Sequence, residues 1–264
     1  ATVGEENTEQ EAHQKLDYSV ERGINFIDTA ELYPVPANQK TQGLTEKYIG
    51  TWLKNRQDRD KLIIATKIAG PNLAFCNHIR EKIAYDRRNF TEALNNSLSR
   101  LQTDYIDLYQ LHWPERKTNF FGTLGYTNHQ EEWEDNFLEI LHILDSFVKE
   151  GKIKYIGLSN ETPWGVNNFL QLAKENNLPK IVSVQNPYSL LNRSYEVGMA
   201  EISIREKAGL LAYSPLGFGV LSGKYLGGVY PEKARITLFP NYKRYLVERA
   251  VEATEAYAKI AKKY

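Results

Sequence analysis

The stretch GINFIDTAELY, Gly23 to Tyr33, joins a short apolar run to an acid and a phenol. The run predicts a buried β-strand, and Asp28 and Tyr33 follow where that strand should end. Polar side chains at the end of a core strand have two explanations. Either Asp28 caps a turn and Tyr33 is a surface aromatic, or the two side chains share an active site.

Apolar runs of this kind recur along the chain, and amphipathic helical patterns separate them. The runs are INFIDTA (24–30), KLIIATKI (61–68), YIDLYQLH (105–112), IKYIGLSN (153–160), IVSVQNPY (181–188) and GLLAYSPL (209–216). Several lack clean alternation, which is typical of parallel strands buried on both faces. The repeated alternation of strand and helix predicts a (β/α)8 barrel or a doubly wound open sheet.

The helical patterns carry recognisable start signals. The first helix begins with a capping box, Thr8 to Glu11, and reaches a stop at Gly23. Another begins with Thr162 followed by Pro163, the usual pair of cap and first-turn residue.

The strand ends favour the barrel over the open sheet. No G-x-G-x-x-G motif follows the first strand, which counts against a Rossmann dinucleotide-binding domain. Polar residues end nearly every strand, and a barrel gathers all its strand ends around one mouth. These residues are Asp28, Lys67, His112, Asn160, Gln185 and Ser214. The sequence therefore predicts an α/β fold of the (β/α)8 TIM-barrel type.

Composition limits the classes of partner. The net charge of the 264 residues is zero, so the chain lacks the electrostatic footprint of a nucleic-acid-binding or membrane-surface protein. No apolar run approaches the ~18 residues of a membrane span, and no signal-peptide pattern opens the chain. A single cysteine, Cys76, is consistent with a reducing compartment. We expect a cytoplasmic protein without nucleic-acid or membrane partners, and the sequence does not indicate its oligomeric state.

Each residue at the predicted barrel mouth has an ordinary explanation when it is taken alone. Asp28 fits a turn cap, and Lys67 fits a solvated strand end. His112 fits a structural imidazole, and Tyr33 fits a packing residue. A barrel mouth changes these interpretations, because it brings an acid, a lysine, a phenol and an imidazole from three successive strands together.

Those four side-chain types form a coherent set for proton donation. A free tyrosine has a pKa near ~10, too high for an efficient general acid, and a neighbouring ammonium favours the phenolate. An aspartate keeps that lysine charged, and an imidazole orients a carbonyl oxygen. No cysteine or serine nucleophile with an adjacent base and no metal-ligand spacing is evident. The set therefore indicates carbonyl chemistry with an external electron donor such as a nicotinamide coenzyme.

The motifs resemble, in order and over the whole chain, those of the aldo-keto reductase superfamily. They are GINFIDTAELY, KLIIATKI, YIDLYQLHWP, KIKYIGLSNET, IVSVQNPYSLLNR and LLAYSPLGFGVLSGKY. The segments AELYPVP, TQGLTEKYIG and NPYSLLNRSYEVG are similar to the Tas-like branch, which is related to potassium-channel β subunits. The resemblance implies a (β/α)8 barrel that binds NADP(H) or NAD(H) at the carboxyl ends of its strands.

The resemblance also implies roles for individual residues. It makes Tyr33 the proton donor, Lys67 and Asp28 the residues that tune it, and His112 the residue that orients the carbonyl. Ser159, Asn160 and Gln185 match residues that hold the nicotinamide carboxamide, and Tyr213 matches the aromatic that stacks on the nicotinamide ring. The pyrophosphate loop is matched by Ser214, Leu216, Gly217, Leu221, Ser222, Gly223 and Lys224, with Arg235 a weaker match beyond it.

The substrate pocket is expected in the loops. Trp113, together with Tyr33 and His112, is the candidate for its wall, and a long aromatic segment follows the strand that ends at His112. The substrate itself is predicted only as a small-molecule carbonyl compound.

The ends of the chain depart from the family pattern. Family members have one strand before the position where this chain begins and an eighth strand after the helix at 246–264. We therefore expect a single barrel domain over residues 1–264 that lacks the first and eighth strands and has further residues at both ends. The segment that usually distinguishes NADPH from NADH would lie beyond Tyr264, so the sequence does not decide between them.

Three hypotheses follow for the function. The first is an NADP(H)-dependent oxidoreductase that reduces aldehydes or ketones to alcohols, with no metal. The second is a nucleotide-binding subunit that senses redox state or regulates a partner with little turnover. The third is a barrel fragment without a function of its own.

Overall fold

A computed structural model describes residues 3–129 and 132–264, so the residues at 1, 2, 130 and 131 lie outside it. The strands are β1 (Phe26–Asp28), β2 (Ile63–Ile68), β3 (Ile106–Leu111), β4 (Ile153–Ser159), β5 (Ile181–Pro187) and β6 (Gly209–Tyr213). The α-helices are α1 (Glu9–Glu21), α2 (Leu44–Lys54), α3 (Arg87–Leu101), α4 (Phe137–Lys149), α5 (Pro163–Glu175), α6 (Tyr195–Glu206), α7 (Arg235–Leu238) and α8 (Glu248–Lys263). Short 3₁₀ segments lie at Arg59–Lys61, Ala74–Cys76, Gly217–Ser222, Leu226–Gly228 and Pro240–Tyr242.

Every predicted strand is present, and the sheet takes its strands in chain order from β1 to β6. The pairings of β1 with β2, β2 with β3, and β3 with β4 are parallel. A helix follows each of the first five strands before the next one begins. This order confirms the predicted α/β class and matches successive strands of a (β/α)8 barrel.

The chain divides into two compact units, an amino-terminal one that ends at Val184 and a carboxyl-terminal one, Gln185–Tyr264. The single domain over residues 1–264 therefore stays a prediction. In the amino-terminal unit, β3 is buried along its whole length and β2 is buried in all but its first residue. The predicted burial on both faces is confirmed for these two strands.

The carboxyl-terminal unit has a small core of its own. Its buried residues come from the segments after β6, where the Phe218 ring contacts Tyr245 and the Tyr225 ring contacts Tyr230. They are Val220, Tyr225, Ala234, Ile236 and Tyr245. By contrast, β6 has no fully buried residue, and it stands at the end of the strand order next to β5.

Local signals set several helix ends as predicted. Thr8 and Glu11 form the capping box of α1, and the Thr162 hydroxyl accepts the amide hydrogen of Gly165 at the start of α5. Helix α2 was not predicted. A Cβ placed on its Gly50 would lie 2.0 Å from the carbonyl oxygen of Arg100, so only glycine allows α2 to pack this closely on α3.

Among the helices formed by residues 3–129 and 132–264, none combines the length and the apolar character that a membrane crossing requires.

Candidate active site

The carboxyl ends of β1, β2 and β3 bring the four predicted catalytic residues together in the amino-terminal unit. Asp28 is the last residue of β1, and Lys67 is the last residue but one of β2. His112 directly follows β3, where its amide donates a hydrogen bond of 3.1 Å to the Ile68 carbonyl. Parallel neighbours in register therefore present an acid, an amine and an imidazole at one edge.

Lys67 and Asp28 form an ion pair of 2.6 Å between Nζ and Oδ2. The lysine side chain is fully buried, and its ammonium also donates 2.7 Å to the carbonyl oxygen of Thr29. Burial lowers the pKa of Lys67, and the charge and hydrogen bond of Asp28 oppose that effect. The aspartate thus stabilises a charge that the protein interior would otherwise disfavour.

Tyr33 lies beside both the lysine and the histidine. The Lys67 ammonium is 5.2 Å from the centroid of the Tyr33 ring, within the range of a cation–π contact. The Tyr33 and His112 rings meet edge to face, with centroids 5.6 Å apart. Sequence reasoning expected these four side chains at one site, and the structure brings all four together.

His112 has an environment that keeps its imidazole neutral. Burial, and then the nearby Lys67 charge, hold the pKa of His112 well below its ordinary value. Its Nδ1 atom is buried and has no hydrogen-bond partner among the residues that the structure describes. A neutral ring with its Nδ1 enclosed leaves Nε2 as the nitrogen that can serve a substrate oxygen.

Gln110 is a site residue that the sequence analysis missed. It pairs in register with Lys67, and its Nε2 donates 3.0 Å to Oδ1 of Asp28. The aspartate therefore presents one oxygen to the lysine and the other to the glutamine. Gln110 is fully buried, and its position two residues before His112 puts both side chains on one face of β3. A polar residue inside the run YIDLYQLH was the available signal.

Trp113 lies behind His112 rather than at the surface. It is 1% exposed, and its indole donates a hydrogen bond of 3.0 Å to the carbonyl oxygen of Pro71. Its ring lies 4.9 Å from the His112 ring and 5.8 Å from those of Phe75 and Phe121. The two phenylalanines are more exposed than Trp113, and Phe121 belongs to the long segment predicted after β3. The predicted pocket residue thus supports an aromatic cluster whose outer members are these rings.

Ser159 and Asn160 follow the same edge at the end of β4. The side-chain amide of Asn160 donates hydrogen bonds of 3.0 Å to the carbonyl oxygen of His112 and 3.1 Å to the Ser159 hydroxyl. Asn160 has a φ of 55°, a left-handed conformation that asparagine tolerates better than most residues. The structure therefore joins this predicted pair to the backbone of His112.

The other predicted cofactor residues lie in the carboxyl-terminal unit. Gln185 and Gly217 are buried; Tyr213, Ser214, Leu221, Gly223 and Arg235 are half-buried; Leu216, Ser222 and Lys224 are exposed. Left-handed backbone recurs in the segment after β6, at Ser214, Gly217, Phe218, Gly219 and Gly223. A Cβ on Gly219 would lie 2.9 Å from Cε of Lys224, so this glycine lets the lysine stem pass. A tight loop with an exposed lysine suits an anionic phosphate.

In the parts of the chain that the structure describes, no three His, Cys, Asp or Glu side chains converge in a way that could hold a metal ion.

Comparison with known proteins gives consistent matches. A family model for the aldo/keto reductase family matches residues 1–264. The chain is 54% identical over 268 residues to Protein tas of Escherichia coli (strain K12), a match covering 100% of this chain and 76% of that protein. It is 39% identical to an aldo-keto reductase of Babesia bovis, over 77% of this chain and 76% of the relative. It is 34% identical to the uncharacterized oxidoreductase YrpG of Bacillus subtilis (strain 168), over 84% of this chain and 63% of the relative.

Proposed function

We propose, because the chain belongs to the aldo/keto reductase family and is an oxidoreductase, that it reduces aldehydes or ketones to alcohols with NADP(H). Tyr33 is the proton donor in this proposal, and Asp28, Lys67 and His112 support it. One observation carries it: the ring of Tyr33 contacts both a buried ammonium and a neutral imidazole at the carboxyl edge of three strands.

The residues of the site act on the carbonyl oxygen. In the proposal, Tyr33 donates its proton to that oxygen as negative charge develops there. The Lys67 ammonium stabilises the phenolate that remains, and Asp28 holds the ammonium at the strand end. The neutral His112 donates a hydrogen bond from Nε2 and so orients the oxygen toward the phenol.

The nicotinamide coenzyme, when bound, supplies the hydride that the carbonyl carbon accepts. We propose that Ser159 and Asn160 bind its carboxamide in the amino-terminal unit, and that Gln185 adds to this in the carboxyl-terminal unit. Tyr213 is the residue proposed to stack on its ring. The pyrophosphate is assigned to Ser214, Leu216, Gly217, Leu221, Ser222, Gly223 and Lys224, with Arg235 a further cofactor-binding candidate beyond this loop. The left-handed turns and the exposed lysine of this segment support the assignment.

The substrate is proposed to be a small carbonyl compound that reaches the site past Phe75 and Phe121. Trp113 fixes these rings from behind, since it is buried against both. A cytoplasmic location stays the expectation of the sequence.

The test is the rate of NADPH consumption with a panel of aldehydes, measured for the natural protein and for Tyr33→Phe. Removing a general acid typically costs ~10²–10⁴-fold in rate, so Tyr33→Phe should lower kcat by at least ~10²-fold. Coenzyme binding, followed by the fluorescence of NADPH, should survive the substitution. Unchanged turnover in Tyr33→Phe would contradict the mechanism. Tight coenzyme binding without turnover of any aldehyde by the natural protein would favour a redox-sensing or regulatory subunit instead.

A further inference from the structure

The segment that carries Tyr33 is attached to β2 by its backbone. The Thr29 amide donates 2.8 Å to the carbonyl oxygen of Ala65, and the Glu31 amide donates 3.1 Å to that of Lys67. These bonds continue the pairing of β1 with β2 beyond Asp28. The Tyr33 amide bonds to Ala30, 3.0 Å away in the same segment, and the Tyr33 carbonyl oxygen accepts the Gly43 amide at 2.9 Å, so Glu31 is the point nearest the phenol at which the segment is bonded to β2.

The side chain of Glu31 fixes this segment a second time. One carboxylate oxygen accepts the amide hydrogen of Ala69, just beyond β2, at 2.6 Å. The two oxygens together accept from both terminal nitrogens of Arg80, at 2.6 and 3.0 Å. Glu31 is 1% exposed, so this is a buried pair with two-point geometry.

Arg80 extends the connection to α3. Its Nε donates 3.1 Å to the side-chain oxygen of Asn89 in the first turn of that helix, and the Asn89 amide bonds to Asp86 at the helix start. Burial pushes the pKa of Arg80 down, but the hydrogen bond and charge of Glu31 outweigh this and leave it raised. The guanidinium of Arg80 binds Glu31 through its two terminal nitrogens and Asn89 through Nε, so it fixes the Glu31 carboxylate relative to the start of α3.

A buried ion pair contributes little net stability to a fold, because the free-energy cost of removing two charges from water offsets much of their attraction. Its value lies in fixed geometry, and here that geometry joins the Tyr33 segment to the strand of Lys67. Glu31 lies two residues before Tyr33, and Ala69 lies two residues after Lys67. The carboxylate of Glu31 therefore joins the two elements whose separation decides how close ammonium and phenol come, and Arg80 fixes that carboxylate.

We propose that Glu31 and Arg80 are positioning residues for Tyr33. They hold the phenol at its distance from Lys67 and His112 without touching the reacting atoms. This inference rests on the proposed function, since it assigns a role within that site.

The experiment removes both charges together, as Glu31→Gln/Arg80→Met, so that neither partner stays buried and unpaired. A milder variant, Arg80→Lys, keeps the charge and loses the two-point contact. The matched control is Asp107→Asn/Arg59→Met. It removes another acid–arginine pair, 2.8 Å apart, whose aspartate accepts the Ile64 amide at the opposite end of β2.

Steady-state kinetics with NADPH and para-nitrobenzaldehyde give the first readout. A displacement of about 1 Å can cost ~10²-fold, so the double variant should lower kcat by ~10–10²-fold, with KM and the Kd of NADPH within ~3-fold. The kcat of Arg80→Lys should lie between those of the double variant and the natural protein. The Asp107→Asn/Arg59→Met control should unfold at a lower urea concentration than the natural protein and keep kcat within about twofold of its value.

A background without the phenol separates positioning from simple damage. In Tyr33→Phe the same double substitution should lower kcat by less than ~3-fold, because no phenol is left to position. Equal losses of kcat in both backgrounds, or no loss when Tyr33 is present, would overturn the proposal. If the double variant does not fold, Arg80→Lys decides by the same two criteria.

Fluorine NMR of protein containing fluorotyrosine makes the test independent of turnover. The Tyr33 resonance, assigned by its loss in Tyr33→Phe, should shift or broaden in the Glu31 and Arg80 variants and stay unchanged in the control. An unchanged resonance would overturn the positioning role. Failure of the proposed function is recognised separately, by an absence of aldehyde turnover or by turnover that ignores Tyr33→Phe.

Discussion

The two ends of strand β2 carry similar chemistry and differ in what surrounds it. At the amino end, Asp107 binds Arg59 at 2.8 Å, Lys154 at 2.9 Å and the Ile64 amide at 3.0 Å. At the carboxyl end, Asp28 binds Lys67 at 2.6 Å, and Glu31 accepts the Ala69 amide at 2.6 Å.

The difference lies in burial and in the neighbouring groups. The lysine at the amino end keeps 48% of its side chain exposed, whereas the lysine at the carboxyl end is fully buried. Both ends place a tyrosine ring against the cations, Tyr105 at the amino end and Tyr33 at the carboxyl end, and the carboxyl end adds the imidazole of His112. Barrels commonly place stability at the amino ends of their strands and chemistry at the carboxyl ends. The contrast predicts that equivalent substitutions at the two ends separate activity from stability.

The largest effect is expected from Lys67→Met. This change removes the ammonium beside Tyr33 and breaks the ion pair with Asp28, so kcat should fall by ~10²-fold or more. The measurement is kcat with NADPH and para-nitrobenzaldehyde, with circular dichroism and NADPH binding as checks of folding. A loss smaller than about threefold in a folded variant would remove Lys67 from the mechanism.

The next effect concerns stability, and Asp107→Asn tests it. The substitution leaves Arg59 partly buried without its acid, so the free energy of unfolding should fall by about 1–3 kcal/mol. Urea denaturation measures the change. The fall in kcat can be expressed as a change in activation free energy. If that change exceeds the fall in the free energy of unfolding, the two ends of β2 are not distinct.

The dependence of stability on pH should also differ between the ends. The folded protein holds the pKa of His112 well below its ordinary value, so below about pH 6.5 only the unfolded chain gains this proton. The free energy of unfolding therefore falls as the pH falls, by up to about 1.4 kcal/mol per unit from this group. His112→Gln should flatten that part of the curve.

Asp107 acts in a lower pH range. Burial raises its pKa, but the Ile64 amide, Lys154 and Arg59 outweigh burial and leave the pKa below its usual value. Its stabilisation is present above the unfolded pKa of about 3.9 and is lost as the pH falls further. In urea titrations at a series of pH values, Asp107→Asn should therefore lower the free energy of unfolding by a constant amount above about pH 4, and change the slope of the curve only below it. If His112→Gln and Asp107→Asn gave the same dependence of the free energy of unfolding on pH, the proposed separation of pH ranges would be contradicted.

The smallest effect is expected from Lys154→Met. This lysine is about half exposed, and exposed ion pairs contribute ~0–1 kcal/mol to stability, so the urea midpoint should barely move. Activity should stay within error of the natural protein. Together with Lys67→Met, this gives two lysine–aspartate pairs with opposite outcomes. A large loss of activity in Lys154→Met would be inconsistent with a purely structural amino end.

The sequence predicted those parts of the fold that short-range patterns encode. Apolar runs identified all six strands, and Thr8, Glu11 and Thr162 identified helix starts. Helix α2 was missed because it begins after Gly43, where no side chain caps the helix. Its close approach to α3 also depends on Gly50, a residue that lowers helix propensity.

The candidate site was predictable where residue type and strand position coincide, as at Asp28, Lys67 and His112. Gln110 was missed because one neutral amide in an apolar strand carries no chemical signature until its partner is known. The pair of Glu31 with Arg80 was missed because its members lie 49 residues apart in the sequence. Side-chain partners across such separations depend on tertiary structure, which no local pattern describes.

The central claim is that the carboxyl end of β2 performs chemistry and the amino end holds the sheet. Its most direct test is kcat, measured side by side for Asp28→Asn and Asp107→Asn with NADPH and one aldehyde. Each substitution removes the charge of an aspartate that binds a lysine, one at the carboxyl end of β1 and the other near the amino end of β3. We predict a loss of about tenfold or more for Asp28→Asn and less than about twofold for Asp107→Asn. Equal losses in the two folded variants would contradict the account.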